Sequence, residues 1–118
     1  MTRHQRFDVR VAPEVEKRML DLAERSGAAR VESRHIRAAL LLLGSMGTRA
    51  HGAKKLKSLE LWEIRAGRHR LFFTLVPGTR RLAVGALIAK DARRIGMTRL
   101  KLIERKVHLW RDKVLADR

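Results

Sequence analysis

The fold is decided by residues 61–89, LWEIRAGRHRLFFTLVPGTRRLAVGALIA. Three runs rich in apolar residues, 61–65, 69–76 and 82–89, predict three strands. Ala66-Gly67-Arg68 is a tight connection and Pro77-Gly78-Thr79 is a turn signature, so the strands are predicted to form an antiparallel meander. The middle run is apolar on both faces of a strand, which predicts a central position in the sheet.

Outside this segment, the sequence predicts one further strand and three helices. Residues 7–11 alternate apolar and polar side chains, as a half-buried strand does. Apolar residues recur at helical spacing in three segments, 13–26, 31–45 and 98–116. The first two helices are predicted to form a hairpin, followed by a loop. The chain, 1–118, is therefore predicted to be a single α+β domain with a curved sheet covered by helices on one side.

Strand alternation divides the side chains of residues 61–65 between two faces of the sheet. Trp62 and Ile64 fall on one face, and Leu61, Glu63 and Arg65 fall on the other. Because Trp62 and Ile64 are apolar, the helical hairpin is predicted to pack on their side, and Arg65 is predicted to point away from it.

The formal net charge is +16, and most of the excess lies in one part of the chain. Residues 1–48 hold nine Lys/Arg and six Asp/Glu, whereas residues 49–118 hold nineteen and six. A field of this sign attracts polyanions, because binding releases counterions from phosphates. The charge predicts a nucleic-acid partner. The alternative is a solvated basic surface in a protein that is always bound to an acidic partner.

Several broad classes are disfavoured by composition. There is no cysteine, which excludes disulfides and thiolate metal sites and fits a reducing cytoplasm. The first ten residues are polar and basic, so no signal peptide is expected. The longest apolar run, 38–43, is far shorter than the roughly 20 residues that span a bilayer. We therefore expect a cytoplasmic protein with no membrane partner.

The segment 55–90 resembles a known family. It has Lys-x-Leu before a short basic-polar stretch, then Leu-Trp-Glu-Ile-Arg, then Gly-Arg-His-Arg-Leu-Phe-Phe, a turn, and a strand ending in Lys90. This pattern resembles the RelE/ParE toxin superfamily and, within it, the HigB-like, phage-derived branch. The final helix, with Glu104, Arg105 and Trp110, continues the likeness. The resemblance implies a RelE-like fold over nearly the whole chain.

The resemblance also implies a function. Most RelE and HigB members cleave mRNA on the ribosome, whereas ParE members poison DNA gyrase. Both kinds are toxins of type II toxin–antitoxin systems and are inhibited by an antitoxin, which is expected to be a helix-turn-helix DNA-binding protein. The partners implied for this chain are that antitoxin, mRNA and the ribosome.

RNA cleavage needs no metal when cations are well placed. The 2′-hydroxyl attacks the adjacent phosphate, and fixed cations stabilise the extra negative charge of the transition state. Arginine matches phosphate oxygens with a two-pronged fork, whereas lysine acts as a point charge. Arg65, Arg70 and Lys90 are the candidate catalytic cations, and the resemblance places Arg70 on the scissile phosphate. The alternative for Arg65 is an ion pair with an acid such as Glu63. The alternative for Lys90 is a solvated lysine at the end of a strand.

Further basic residues lie beside these three in the sequence. We predict that they contact the RNA backbone, with a plain solvated surface as the alternative: Lys54, Lys55, Lys57, Arg68, Arg93 and Arg94. In some RelE-type sites, which the resemblance brings into consideration, a tyrosine late in the chain stacks on a base. This chain has no tyrosine, and Arg93 is the candidate to stack in its place.

The histidines provide candidate proton carriers. His69 adjoins Arg70 and is predicted to be the catalytic histidine, with His51 as the second candidate. No histidine has the spacing of a metal-binding motif, so neither a metal nor another cofactor is expected.

Three functions remain open from the sequence. The first is an mRNA endoribonuclease that inhibits translation, the second is a ParE-like gyrase inhibitor, and the third is a catalytically inactive RNA-binding relative. The basic cluster at the strand ends favours the first, because gyrase inhibition requires no anionic transition state.

Overall fold

The computed structural model describes residues 6–89 and 94–117. Pro13 begins the first helix, where its fixed φ suits the first turn, and Glu14 and Glu16 complement the positive end of the helix dipole. The elements, in chain order, are β1 (Asp8–Val11), α1 (Pro13–Glu24), α2 (Ala28–Met46), a 3-10 turn (Gly47–Arg49), β2 (Ala53–Lys55), β3 (Trp62–Ala66), β4 (His69–Leu75), β5 (Arg81–Ala89) and α3 (Met97–Ala116).

The five strands form one mixed sheet in the order β1-β5-β4-β3-β2. The antiparallel meander predicted from residues 61–89 is confirmed, since β3 pairs with β4 and β4 with β5 in antiparallel register. The central position of β4 is confirmed as well. β1 pairs with β5 in parallel, with Asp8 opposite Arg81, so the first strand joins the sheet beside the last.

The helical hairpin α1–α2 packs on the predicted face of the sheet. Ile36 and Leu43 of α2 are buried with Ile64, Phe73 and the other apolar side chains of that face, and Trp62 is partly buried against them. The prediction that the hairpin covers the Trp62/Ile64 face is therefore confirmed.

The prediction that helices cover only one side of the sheet is wrong. α3 packs on the opposite face, where Ile103 and Val107 are buried against Leu61, Phe72 and Ala86. The physical reason is the composition of β4, which is apolar on both faces and therefore needs cover on both. A Cβ on Gly85 would come within 2.8 Å of Val107 Cα, so glycine permits the close approach of α3 to β5.

The element order also differs from the prediction by one strand. The sequence assigned residues 53–55 to no helix or strand, yet they form β2 at the edge of the sheet, with Lys54 opposite Glu63. Three residues with two lysines show no alternation of apolar side chains, and lysine is a usual residue of exposed edge strands. The architecture is α+β as predicted.

Among the residues that the structure describes, no helix is long and apolar enough to cross a lipid bilayer.

Candidate functional site: a basic groove beside the β3–β4 hairpin

Two arginines lie directly opposite each other at the end of the β3–β4 hairpin. Arg65 of β3 is the register partner of Arg70 of β4, so both side chains project from the same face, away from α2. Arg65 is exposed, and 21% of the Arg70 side chain is exposed. Side chains at such positions have Cβ atoms roughly 5 Å apart, and like charges there repel each other. The pair is therefore an electrostatically costly arrangement that is suited to an anion.

The turn that joins the two strands fixes this register. Ala66 pairs with His69, which leaves Gly67 and Arg68 as the two loop residues. Gly67 has a φ of 62°, whereas Arg68 is not among the described residues with positive φ, a pattern typical of a type II′ turn. A Cβ on Gly67 would also collide with the carboxylate of Glu32, so this position requires glycine for two reasons.

Glu32 of α2 holds the hairpin turn from the opposite face. Its two oxygens accept the backbone N–H of Arg68 at 3.0 and 2.8 Å, and Oε2 lies 2.7 Å from Nδ1 of His69. Because an ionised carboxylate only accepts hydrogen bonds, the Nδ1–H group of His69 donates a hydrogen bond to Glu32. Both side chains are largely buried, so these contacts join the hairpin to α2 in a place with little water.

The surroundings of Glu32 act on its pKa in opposite directions. Burial alone would raise the pKa of Glu32. The hydrogen bonds from His69 and from the backbone of Arg68, with the charges of His69 and His35, outweigh burial and lower the pKa of Glu32 below its ordinary value of 4.5. The ionised form of Glu32 is therefore stabilised by folding.

Glu32→Gln is expected to make the free energy of unfolding less dependent on acid pH. A group with a lowered folded pKa contributes stability above its ordinary pKa, and that contribution is lost as pH falls through the folded pKa. The variant should be less stable than the wild type by about 2 kcal/mol at pH 7, since hydrogen bonds to a charged group are lost. The difference should shrink below pH 4.5.

The measurement is urea unfolding of both proteins at a series of pH values from 7 downwards. Glu24→Gln is the matched control, because Glu24 is exposed at the end of α1. A difference between wild type and Glu32→Gln that stays constant across the acid range would contradict the assigned role of Glu32.

The arginine pair opens into a groove on the α3 side of the sheet, which we call the basic groove. It consists of two adjoining depressions of about 510 and 440 Å³ that share Lys54, Glu63 and Arg70. Among the described residues, five cations line it together with a single acid, Glu63: Lys54, Lys57, Arg65, Arg70 and Arg94. His51 lies at the end of the groove next to Arg65.

The N-terminus of α3 lies at the other end of the basic groove. Gly96, Met97 and Leu100 line that end, and the first turn of α3 has no acidic residue. The positive end of a helix dipole favours nearby anions. The helix end therefore adds to the field of the five cations, and the groove suits an extended anionic chain more than a single small anion.

The predicted site residues divide into three sets. Arg65, Arg70, Lys54, Lys57 and Arg94 come together in the basic groove. Three others do not line the groove: His69 is buried on the α2 side, Lys55 pairs with Glu60 at 3.7 Å, and Arg68 is exposed at the hairpin turn. Lys90 and Arg93 lie outside the described residues.

The structure adds two residues whose importance the sequence did not indicate, and it places the second histidine candidate. Glu63 was considered only as a partner of Arg65, yet it contacts Lys54 and Arg70. Glu32 gave no signal, because a glutamate on a helix is usually solvated. His51, and not His69, lines the groove with the arginines; its loop position gave no information on distance.

The chain matches no protein-family model and no curated protein. Within residues 6–89 and 94–117, no three His, Asp or Glu side chains are grouped so that they would hold a metal ion. Among the described residues, the basic groove brings together several cations, two of them the paired arginines, and the histidine His51. Such a site binds phosphodiesters and stabilises negative charge that develops on phosphoryl oxygens.

Proposed function

We propose that this protein is a toxin of the RelE/HigB type, an endoribonuclease that cleaves mRNA at the ribosome and thereby inhibits translation. The observation that supports the proposal is the arginine pair: Arg65 faces Arg70 across two neighbouring strands within the basic groove. Glu63, 3.5 Å from Arg70, offsets part of the repulsion between the two arginines, and a bound phosphodiester would offset more of it.

The reaction is an internal transfer of the phosphoryl group. The 2′-hydroxyl oxygen forms a bond to the adjacent phosphorus while the bond from phosphorus to the 5′ oxygen breaks. The 2′ proton is taken up by a base, and the leaving 5′ oxygen is protonated, which gives a 2′,3′-cyclic phosphate and a 5′-hydroxyl. Arg65 and Arg70 would stabilise the phosphoryl oxygens, and His51 is the proton carrier that lines the groove.

His69 takes a different part in this proposal from the one predicted from the sequence. It is buried on the other side of the sheet and hydrogen-bonded to Glu32, so it supports the hairpin turn. Lys54, Lys57 and Arg94, which line the depression next to Arg70, would bind the RNA backbone beside the scissile phosphate. Lys90 as a catalytic cation and Arg93 as an RNA contact also belong to the proposal, although both lie outside the described residues.

An antitoxin with an acidic segment is the partner that fits this surface. Nineteen Lys/Arg against six Asp/Glu in residues 49–118 would bind cellular RNA indiscriminately in a free protein. An acidic peptide that lies in the basic groove would neutralise the arginine pair and block the site. Salt should weaken that complex if charges at its rim dominate. Both proteins would act in the cytoplasm.

The test is induction of the protein in growing bacteria together with primer extension on a translated message. The proposal predicts growth arrest with discrete cleavage sites within the translated region. With purified ribosomes, the 3′ ends should bear a cyclic phosphate. Growth arrest with altered DNA supercoiling and intact mRNA would favour a ParE-like gyrase inhibitor. Neither arrest nor cleavage would favour an inactive RNA-binding relative.

A further inference from the structure

The basic groove contains one buried carboxylate, which the proposed reaction does not use. Only 8% of the Glu63 side chain is exposed. Oε1 of Glu63 lies 3.2 Å from Nζ of Lys54, and Oε2 lies 3.5 Å from Nη1 of Arg70. Oε2 is buried and has no hydrogen-bond partner among the described residues. A buried acceptor without a donor is uncommon and costs free energy, so its presence calls for a physical reason.

Glu63 reduces repulsion among the cations around it. Lys54, Glu63 and Phe72 are register neighbours across three strands, and Arg65 and Arg70 follow on the same face. Without Glu63, the three cations Lys54, Arg65 and Arg70 would lie on this face with no described acid among them. A carboxylate between Lys54 and Arg70 attracts both, and it keeps Arg70 next to the groove while 21% of that side chain remains exposed.

The contact with Arg70 leaves its hydrogen-bond donors available. An arginine has five N–H donors, and a paired carboxylate commonly takes two of them in a fork. Here the distance of 3.5 Å forms an ion pair but leaves Oε2 without a hydrogen bond. Arg70 is therefore held by charge and not by a committed fork, and its donors can turn to a phosphate.

We propose that Glu63 is the positioning residue of the basic groove: it orients Lys54 and Arg70 for a phosphodiester and, as a negative charge inside the groove, it weakens the binding of RNA. This inference rests on the proposed function for its effect on rate. Its effect on affinity is independent of cleavage. Removal of the charge should therefore move affinity and rate in opposite directions, which loss of folded protein cannot do.

The experiment measures two properties of the purified chain. Binding to a single-stranded oligoribonucleotide is followed by fluorescence anisotropy over a range of salt, and cleavage of a translated message is followed under single-turnover conditions. Glu63→Gln keeps the shape and removes the charge. It should tighten RNA binding about fivefold, since a unit charge near 4 Å is worth about 1 kcal/mol in a water-like medium. It should slow cleavage at saturating protein by roughly tenfold or more, because Arg70 is less well placed.

Two further variants separate charge from geometry. Glu63→Asp keeps the charge but withdraws the carboxylate by one methylene group, so RNA affinity should stay within about twofold while cleavage still slows. Glu60→Gln is the matched control for charge, because Glu60 is exposed and pairs only loosely with Lys55 at 3.7 Å. It should change neither property by more than about twofold.

The outcomes distinguish this inference from the proposed function. Unchanged or weaker RNA binding in Glu63→Gln would overturn the inference, and so would a loss of affinity and rate by the same factor. If the wild type binds RNA but never cleaves it, the proposed function fails, and the affinities of the Gln and Asp variants still decide whether Glu63 restrains binding.

Discussion

Arg70→Ala is expected to slow RNA cleavage roughly a hundredfold while binding of RNA changes far less. Loss of one donor that meets the developing charge of a transition state typically costs on the order of 3 kcal/mol. Arg70 is half-buried at the centre of the basic groove, opposite Arg65, so its fork is placed where a phosphodiester would lie. An interaction that is made mainly in the transition state lowers the rate more than it lowers affinity.

The measurement is single-turnover cleavage of a translated message, with RNA affinity determined in parallel. Arg70→Lys should restore activity only in part, because lysine cannot form the two-pronged fork. Arg34→Ala is the matched control, since Arg34 is exposed on α2, which covers the other face of the sheet. Lys54→Ala should instead weaken RNA binding and lower the salt slope by about one. An Arg70→Ala protein that is folded and fully toxic would contradict this placement of the site.

Phe72→Ala is expected to cost about 4 kcal/mol of the free energy of unfolding, within the usual range for removal of a buried aromatic side chain. Phe72 is completely buried in the middle of β4, between Leu61 of the preceding loop and Ile103 and Val107 of α3. Its loss would leave a cavity between the sheet and the helix. A domain of this size has only about 5–15 kcal/mol of net stability, so the variant should be close to unfolding at physiological temperature.

The measurement is urea unfolding of wild type and variant with far-UV circular dichroism. Leu102→Ala is the matched control, because Leu102 is on the outer side of α3 and is 62% exposed. It should change stability by less than about 0.5 kcal/mol. A loss below about 1.5 kcal/mol for Phe72→Ala would show that α3 is held to the sheet by other contacts.

Local rules were sufficient to predict the hairpin and the face of Arg65 from the sequence. Strand alternation placed Arg65 on the face opposite Ile64, and the short connection of Gly67 and Arg68 left little freedom in register. Because side chains repeat every two residues and the turn has a fixed length, the positions of Arg65 and Arg70 follow from residues that are close in the chain.

The parts that sequence failed to predict depend on contacts between distant segments. β2 forms because the edge of β3 offers unpaired backbone groups, which three residues of sequence do not reveal. His69 lies on the α2 face by the same alternation that puts Arg70 on the other face, but its acceptor there is Glu32, 37 residues earlier, which the sequence does not reveal. The contact of Glu63 with both Lys54 and Arg70 needs three strands side by side, so alternation along β3 alone suggested only a neighbour of Arg65.

The parallel pairing of the first strand with the last has a consequence for the entropy of the chain. Asp8 meets Arg81, 73 positions later, whereas Arg65 meets Arg70 after only five. The entropy lost in closing a loop rises with the logarithm of its length, so the β1–β5 pair is the most expensive contact of the sheet to form and the β3–β4 hairpin is among the cheapest. In terms of contact order, the two arginines are brought together by one of the most local contacts of the sheet, whereas the addition of β1 to the sheet is its least local contact.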